Sequence, residues 1–369
     1  MKVNVGYLLG YLKNGLLDLP TPVSLNYLYG VGFCLGGIYL MQVVSGLILS
    51  LFYSVGPDGG FWSLVAIMQE VWMGWCVRFI HSAGVSVFFF CVYLHVFRGV
   101  LYGGFLKKGV WVSGVLVLFM LMGVSFMGYV LPWGSMSYWG VTVVTSMIGA
   151  IPGIGGLVVE WVWGGPTVGV NTLARFFSLH YLVSLLLSLV ILYHLVELHE
   201  KGSFNPLGVS SEMDKVVFHT DFSVKDIWGA MGVLLMYGVL VFEHPYALMD
   251  SANFEEVSLS STPSHIKPEW YFLFAYSILR SVESKLGGVV LMAGSILGLL
   301  VLLASSSEGV SRFVGLKYWK SVSVVWGMSF IMLILLGSRE VEYPYVELGK
   351  YFTCIYFLSL SSLVWLSWL

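Results

Sequence analysis

Apolar residues occur in long runs along this chain, separated by shorter segments that are polar or rich in Gly and Pro. A helix needs about 20 mostly apolar residues to cross the hydrocarbon core of a bilayer. Runs of this kind lie near residues 30–53, 75–102, 110–132, 172–198, 226–242, 286–305, 320–337 and 346–368. The pattern predicts an all-α integral membrane protein with eight transmembrane helices. Residues 133–170 mix Gly, Pro, Trp and Ser with short apolar runs, which predicts further interfacial helices lying on the membrane.

The composition agrees with a lipid environment. Of the 369 residues, 58% are hydrophobic and 10% are charged, and the mean hydropathy is +0.86. A soluble globular protein carries about 25% charged residues. The net charge is -2 and no basic tract is present, so we expect no nucleic-acid partner. The four cysteines are widely scattered, which argues against a disulfide framework or a zinc site.

The basic residues of the loops predict an orientation. If the N-terminus and the loops after the second, fourth and sixth helices share one side, that side carries eleven Lys and Arg residues and the other carries seven. Basic loop residues are enriched on the negative side of a membrane. Both termini are therefore predicted to lie on the negative side, which is the matrix side of a mitochondrion or the cytoplasmic side of a bacterium.

Four histidines form two matched pairs inside the predicted spans. His81 and His95 lie fourteen residues apart in the second run, and His180 and His194 lie fourteen apart in the fourth. Fourteen helical residues make about 3.9 turns and rise about 21 Å, so both members of a pair face nearly the same side at different depths. The second and fourth helices run parallel, because one crossing separates them. His81 should therefore lie level with His180, and His95 with His194.

Imidazole pairs at two depths favour haem. A neutral histidine is a common axial ligand of haem iron, and the sequence has no CxxCH motif for covalent attachment. The spacing thus predicts an N-terminal four-helix bundle that holds two non-covalent haems, one near each face. An iron with two axial histidines has no open coordination site, which favours electron transfer over oxygen binding. A lone intramembrane histidine more often belongs to a helix contact or a proton path.

Two glycine pairs repeat the same interval. Gly32 and Gly46 lie fourteen residues apart in the first run, and Gly114 and Gly128 lie fourteen apart in the third. Glycine leaves room where a flat plate must approach the backbone, so these positions are predicted to clear the porphyrins. Close packing of helices through small residues is the alternative.

Two arginines flank the histidine pair of the second run. Arg78 precedes His81 by three residues, and Arg98 follows His95 by three. Each lies about one turn further toward a membrane face, where haem propionates would emerge. Arginine makes planar, charge-assisted hydrogen bonds with carboxylates, so both are predicted propionate partners. Anchoring at the membrane interface is the alternative.

With these motifs the chain resembles cytochrome b, the haem-bearing subunit of quinol–cytochrome c reductase (the bc1 complex, respiratory complex III), from about residue 15 to residue 350. The further matching strings are GYVLPWG with MSYWG at 128–140, RFFSLH at 175–180, LHEKGSFNPLG at 198–208, KDIWG at 225–229 and PSHIKPEWYFLFAYSILRS at 263–281. The resemblance implies a di-haem bundle domain at 1–208 and a four-helix domain at 209–369. It also implies two haem b groups and the mitochondrial inner membrane, with a bacterial plasma membrane as the alternative.

The resemblance further implies two quinone sites. The implied quinol-oxidation site near the positive face comprises Glu269, Tyr271, Tyr129, Gly140 and Tyr276. The implied quinone-reduction site near the negative face comprises His199, Ser203 and Asp226. A carboxylate at the first site can accept a proton from quinol, although a glutamate after Pro268 can also serve as a helix N-terminal carboxylate. Read without the resemblance, His199 and Asp226 are solvated residues at loop edges.

The implied function is transmembrane electron transfer from quinol to quinone, coupled to proton translocation, within a quinol–cytochrome c oxidoreductase. The implied partners are the Rieske iron–sulfur protein, cytochrome c1 and a second copy of the chain. Two alternatives stay open at this point. One is a simple two-haem electron shuttle without a second quinone pocket, and the other is a polytopic transporter that needs no porphyrin.

Overall fold

The computed structural model describes Gly10 and residues 17–56, 58–306 and 317–368. Within them the long helices are α1 (Val31–Ser50), α2 (Phe61–Gln69), α3 (Gly74–Ser82), α4 (Gly84–Leu101), α5 (Lys108–Val130), α6 (Ser135–Ser146), α7 (Gly155–Trp163), α8 (Val170–Lys201), α9 (Asp221–Gly238), α10 (Leu273–Arg280), α11 (Lys285–Leu297), α12 (Lys317–Gly337) and α13 (Tyr345–Leu366). Arg312 and most residues before 17, whose charges entered the predicted orientation, lie outside the described residues.

Each of the eight predicted spans contains a helix. Seven stretches of the described chain are long and apolar enough to cross a membrane, and they include α1, α3 with α4, α5, α8, α9, α11 and α12. The eighth, α13, has 22 residues, includes Glu347 and Lys350 in its first turns, and is not among these seven. It packs lengthwise against α12. The all-α membrane architecture is therefore confirmed, with seven of the eight predicted spans among the stretches long and apolar enough to cross a membrane.

Several spans are less regular than a single helix. The second is interrupted at Ala83, between α3 and α4. The fifth continues from α9 into a π-helical turn at Val239–Glu243, and the sixth continues from α11 into a 3₁₀ stretch at Gly298–Ala304. At the first of these breaks the Ile80 carbonyl accepts hydrogen bonds from Gln42 and Tyr237 of other helices, which apolar patterning cannot predict.

Short elements connect the spans. The predicted interfacial segment contains α6 and α7, as expected from its composition. The sequence did not predict α2, which lies between the first two spans, or a small antiparallel pairing of Pro20–Pro22 with Lys215–Val217. That pairing joins the segment before α1 to the segment before α9 through backbone hydrogen bonds.

The N-terminal spans form two pairs that face each other. In one pair α1 packs on α3 and α4, and in the other α5 packs on α8. The hydroxyl of Tyr39 in α1 donates to the carbonyl of Ser184 in α8 at 2.6 Å and connects the two pairs. A continuous apolar core extends from α4 and α5 into α10, α12 and α13. The histidines lie in the space between the two helix pairs.

Candidate functional site

The four histidines meet in two pairs at two levels. The ring centres of His81 and His180 lie 6.1 Å apart, and those of His95 and His194 lie 6.4 Å apart. These are the combinations that the parallel course of the two helices predicts. The role of the four residues as haem ligands stays a prediction.

Three of these rings have an acceptor beside Nδ1. His81 Nδ1 lies 3.0 Å from the Gln42 carbonyl oxygen, and His180 Nδ1 lies 2.8 Å from the Val124 carbonyl oxygen. His194 Nδ1 lies 2.9 Å from Ser113 Oγ. A ring that donates through Nδ1 keeps the lone pair of Nε2 free to bind a metal. The neighbouring helices α1 and α5 thus orient rings that are carried by α3 and α8.

The distance between the rings suits two axial ligands of one iron. A metal–imidazole bond is about 2.0 Å long and the bound nitrogen lies about 1.1 Å from its ring centre, so two rings on one metal have centres roughly 6.2 Å apart. The observed 6.1 and 6.4 Å agree with that separation. No group of three or more His, Cys, Asp or Glu side chains that could hold a bare metal ion occurs in the described part of the chain. The paired imidazoles therefore fit haem iron.

Each of the four predicted glycines faces one histidine ring. A Cβ atom would lie 3.2 Å from Cε1 of His95 if built on Gly32, 2.9 Å from Cε1 of His81 on Gly46, 3.1 Å from Cε1 of His194 on Gly114, and 2.7 Å from Cε1 of His180 on Gly128. The close approach that the structure shows is thus to the imidazoles themselves. Glycine at these positions lets each ring lie against the neighbouring backbone, and clearance for a porphyrin stays a prediction.

The two arginines differ in their surroundings. The guanidinium of Arg78 lies 5.8 Å from the ring centre of Phe79 and 5.5 Å from that of Phe254. Arg98 Nη2 lies 3.1 Å from His95 Nδ1, and its guanidinium lies 4.8 Å from the ring centre of Tyr29. Arg98 Nε is buried without a hydrogen-bond partner among the described residues. A buried donor of this kind favours an additional acceptor, and a carboxylate would satisfy it.

One cavity joins the first histidine pair to the implied quinol site. His81, His180, Tyr129, Glu269 and Tyr271 all contribute to its lining. Glu269 directly precedes the 3₁₀ turn Trp270–Phe272, which leads into α10. The Tyr129 hydroxyl is buried and lacks a hydrogen-bond partner among the described residues. A ligand with polar groups could therefore bind next to the His81–His180 pair.

An aromatic stack holds the loop that carries Glu269. The Tyr271 ring lies 4.2 Å from the Phe89 ring at an interplanar angle of 1°, and the Tyr93 hydroxyl donates to the Tyr271 carbonyl. Two further predicted residues, Gly140 and Tyr276, are not among the residues that line the cavity. A Cβ on Gly140 would contact Tyr129 at 3.9 Å, and the Tyr276 hydroxyl donates to the Ile266 carbonyl at 3.3 Å.

Electrostatics favour proton exchange at Glu269. Its partial burial, with a smaller contribution from the nearby Asp250, raises the pKa of this carboxyl from 4.5 to about 8. Both effects disfavour the charged form. A carboxyl with a pKa near neutrality can take up and release protons, as a general base requires.

The implied quinone-reduction residues lie at the opposite ends of the spans. His199 is in the last turn of α8, Ser203 follows that helix, and Asp226 lies in α9. All three residues are half-buried. A Cβ on Gly30 would lie 2.6 Å from Asp226 Oδ1, so the carboxylate lies directly against the backbone at the start of α1. No hydrogen bond joins His199, Ser203 and Asp226 to one another in the structure described.

Sequence reasoning missed several polar residues at the cavity. Asp250 and Asn253, from the loop after α9, both line it, and so does Gln42 in the middle of α1. A glutamine inside an apolar span is a recognisable signal, because intramembrane polar groups are costly. The loop residues had no comparable signal, since their approach to Glu269 depends on the tertiary fold.

Comparisons with known proteins agree with this arrangement. Residues 16–202 match the family described as cytochrome b/b6/petB, and residues 256–357 match the family described as cytochrome b(C-terminal)/b6/petD. A cytochrome b from Leptorhynchoides thecatus is 54% identical over 346 residues, which cover 94% of this chain and 93% of the relative. A cytochrome b from Apis mellifera ligustica is 42% identical over 344 residues, which cover 92% and 88%.

Solved structures show the same fold. A chain of a hyperthermophilic respiratory complex III superposes with a TM-score of 0.90 at 28% identity, covering 100% of this chain and 97% of that one. The similarity thus extends over both the N-terminal and the C-terminal spans.

Proposed function

The chain belongs to the cytochrome b family, and we propose that it oxidises quinol near the positive face and reduces quinone near the negative face of its membrane. It is an integral membrane electron-transfer subunit of respiratory complex III, an oxidoreductase that contains several subunits. The proposal rests on the cavity that His81 and His180 share with Glu269 and Tyr271, because this cavity would place the proposed proton acceptor beside the proposed haem ligands.

Four imidazoles would hold two haem b groups, His81 with His180 near the positive face and His95 with His194 near the negative face. The four facing glycines and the arginines Arg78 and Arg98 would complete these sites. Haem held in this way supplies one-electron transfer across the membrane without an open coordination site. Nδ1 hydrogen bonds fix the ring orientations, and Arg98 would leave His95 Nδ1 to bind a propionate carboxylate.

Side chains at the two membrane faces would accept and supply the protons. Glu269, deprotonated above its raised pKa, would accept a proton from bound quinol, while Tyr271, Tyr129, Gly140 and Tyr276 shape that site. At the negative face His199, Ser203 and Asp226 would bind quinone and supply protons as it is reduced. Release on one side and uptake on the other would couple electron transfer to proton translocation.

The proposal also covers the partner proteins, the membrane and the domains of the chain. The Rieske iron–sulfur protein and cytochrome c1 would carry electrons onward to cytochrome c, and a second copy of the chain would complete a homodimer. The membrane would be the mitochondrial inner membrane, with both termini on the matrix side, as the loop charges predict. Residues 1–208 would form the di-haem domain and 209–369 the second domain.

Reconstitution of the whole complex into sealed vesicles tests this function. We expect added quinol to reduce cytochrome c and to generate a membrane potential at the same time. Cytochrome c reduction without a membrane potential would favour the simple two-haem shuttle. A complex with no haem absorption and no quinol oxidation would contradict the proposal and favour a transporter.

A further inference from the structure

Two side chains from other helices close a break in the helix that carries His81. The break lies at Ala83, where α3 ends and α4 begins. Carbonyl groups in the last turn of a helix lack partners within that helix. The carbonyl of Ile80, in this last turn, accepts hydrogen bonds from Gln42 Nε2 at 3.0 Å and from the Tyr237 hydroxyl at 2.5 Å.

Gln42 contacts the neighbourhood of His81 in two ways. Its side chain binds the carbonyl of Ile80, the residue before His81, and its backbone carbonyl lies 3.0 Å from His81 Nδ1. Gln42 Nε2 also lies 3.3 Å from the Tyr237 hydroxyl, so the two side chains and the Ile80 carbonyl form one hydrogen-bonded group. Both side chains are buried. Polar groups inside a membrane are costly, which favours a functional role for this group.

A glycine gives Tyr237 access to the break. A Cβ on Gly84 would overlap the Tyr237 hydroxyl oxygen, so any larger residue would displace it. Tyr237 belongs to α9, and the loop after α9 contributes Asp250 to the cavity that His81 lines. The contact thus connects the second half of the chain to the histidine pair near the positive face.

We propose that Gln42 and Tyr237 are positioning residues that fix His81 and thereby set the redox potential of the haem at His81 and His180. This inference rests on the proposed function, because it requires haem at this pair. A hydrogen bond from Nδ1 to a fixed acceptor raises the basicity of a metal-bound imidazole, and a more basic ligand stabilises the oxidised metal. We call the hydrogen-bonded group of Gln42, Tyr237 and the Ile80 carbonyl the clamp. Loss of the clamp would loosen the Gln42 backbone carbonyl, weaken its hydrogen bond with His81 Nδ1 and raise the midpoint potential of this haem.

Redox titration of the assembled complex carrying Tyr237→Phe tests the clamp. We expect the midpoint potential of one b component to rise by up to about 59 mV, which is a tenfold change in the equilibrium constant of a one-electron couple. The other component should stay unchanged. Gln42→Met should shift the same component in the same direction. Tyr356→Phe is the matched control, because it removes a buried hydroxyl that donates to the Ser295 carbonyl at 2.7 Å in the C-terminal spans. It should leave both midpoints unchanged.

Several outcomes would overturn the clamp. These are unchanged midpoints in both Tyr237→Phe and Gln42→Met, an equal shift of both b components, and failure of both variants to assemble while Tyr356→Phe assembles. If Tyr237→Phe alone fails to assemble, the midpoints of Gln42→Met decide the question. A parent complex without two b components would instead contradict the proposed function, and this is measured before any variant.

Discussion

The rings of His81 and His180 face each other at 6.1 Å with their planes at 89°, although the two residues lie on helices that are far apart in sequence. The rings of His95 and His194 lie 6.4 Å apart with their planes at 63°. Among the residues that the structure describes, only the second pair has a guanidinium within hydrogen-bond distance, that of Arg98. The two pairs therefore offer different environments to chemically similar groups, and we expect haems bound there to have different potentials.

Gly128→Ala should displace His180 and remove the haem near the positive face. A Cβ there would lie 2.7 Å from Cε1 of His180, so the ring would have to shift away from Gly128 and from its facing partner His81. We expect about half of the haem b absorption to be lost, since one of two sites fails. Gly123→Ala on the same helix is the control, because its Cβ would meet nothing within 4 Å. Full haem content in the Gly128 variant would refute the close approach.

Glu269→Gln should remove a pH-dependent step in quinol oxidation. With a pKa of about 8, Glu269 is mostly protonated at pH 6 and mostly a carboxylate at pH 9. Because the carboxylate is the proposed proton acceptor, kcat/KM for quinol should rise through pH 8 and then level off. The amide should lower the rate by about a hundredfold and abolish this rise. A variant with an unchanged rate and pH profile would support the simple electron shuttle.

Asp250→Asn should shift that profile without abolishing it. The charge of Asp250 is the lesser cause of the raised pKa of Glu269, and burial is the greater. Removing the charge should lower the pKa part of the way toward its ordinary value, so the rise in kcat/KM should occur at lower pH. The measurement is the same pH series. An inflection that stays in place would show that Asp250 does not act on Glu269.

Gly30→Ala should impair quinone reduction selectively. Its Cβ would lie 2.6 Å from Asp226 Oδ1 and would push the carboxylate away from the start of α1. We expect slower reoxidation of the negative-side haem by quinone, while quinol oxidation at the other face stays at the parent rate. Gly36→Ala, in the helix α1 that follows Gly30, meets nothing within 4 Å and serves as the control. Equal behaviour of the two variants would exclude a role of the Gly30–Asp226 contact.

The regular features of the fold could be predicted because they depend on local sequence. The period of the α-helix alone places His81 and His95 on one face, and the single intervening crossing makes their partners parallel. The break at Ala83 could not be predicted, because the carbonyl of Ile80 beside it accepts hydrogen bonds from Gln42 and Tyr237, which lie in other spans. The influence of Asp250 on Glu269 was missed for the same reason, since eighteen residues of loop and turn lie between them.

Redox titration of the purified complex, followed by haem b absorption, tests the central claim most directly. Two components with distinct midpoints are expected, because the two histidine pairs differ in ring geometry and in the groups around them. His81→Leu should remove one component and leave the other. A single component, or the loss of both in this variant without loss of the assembled complex, would contradict two haems held at separate levels by paired histidines.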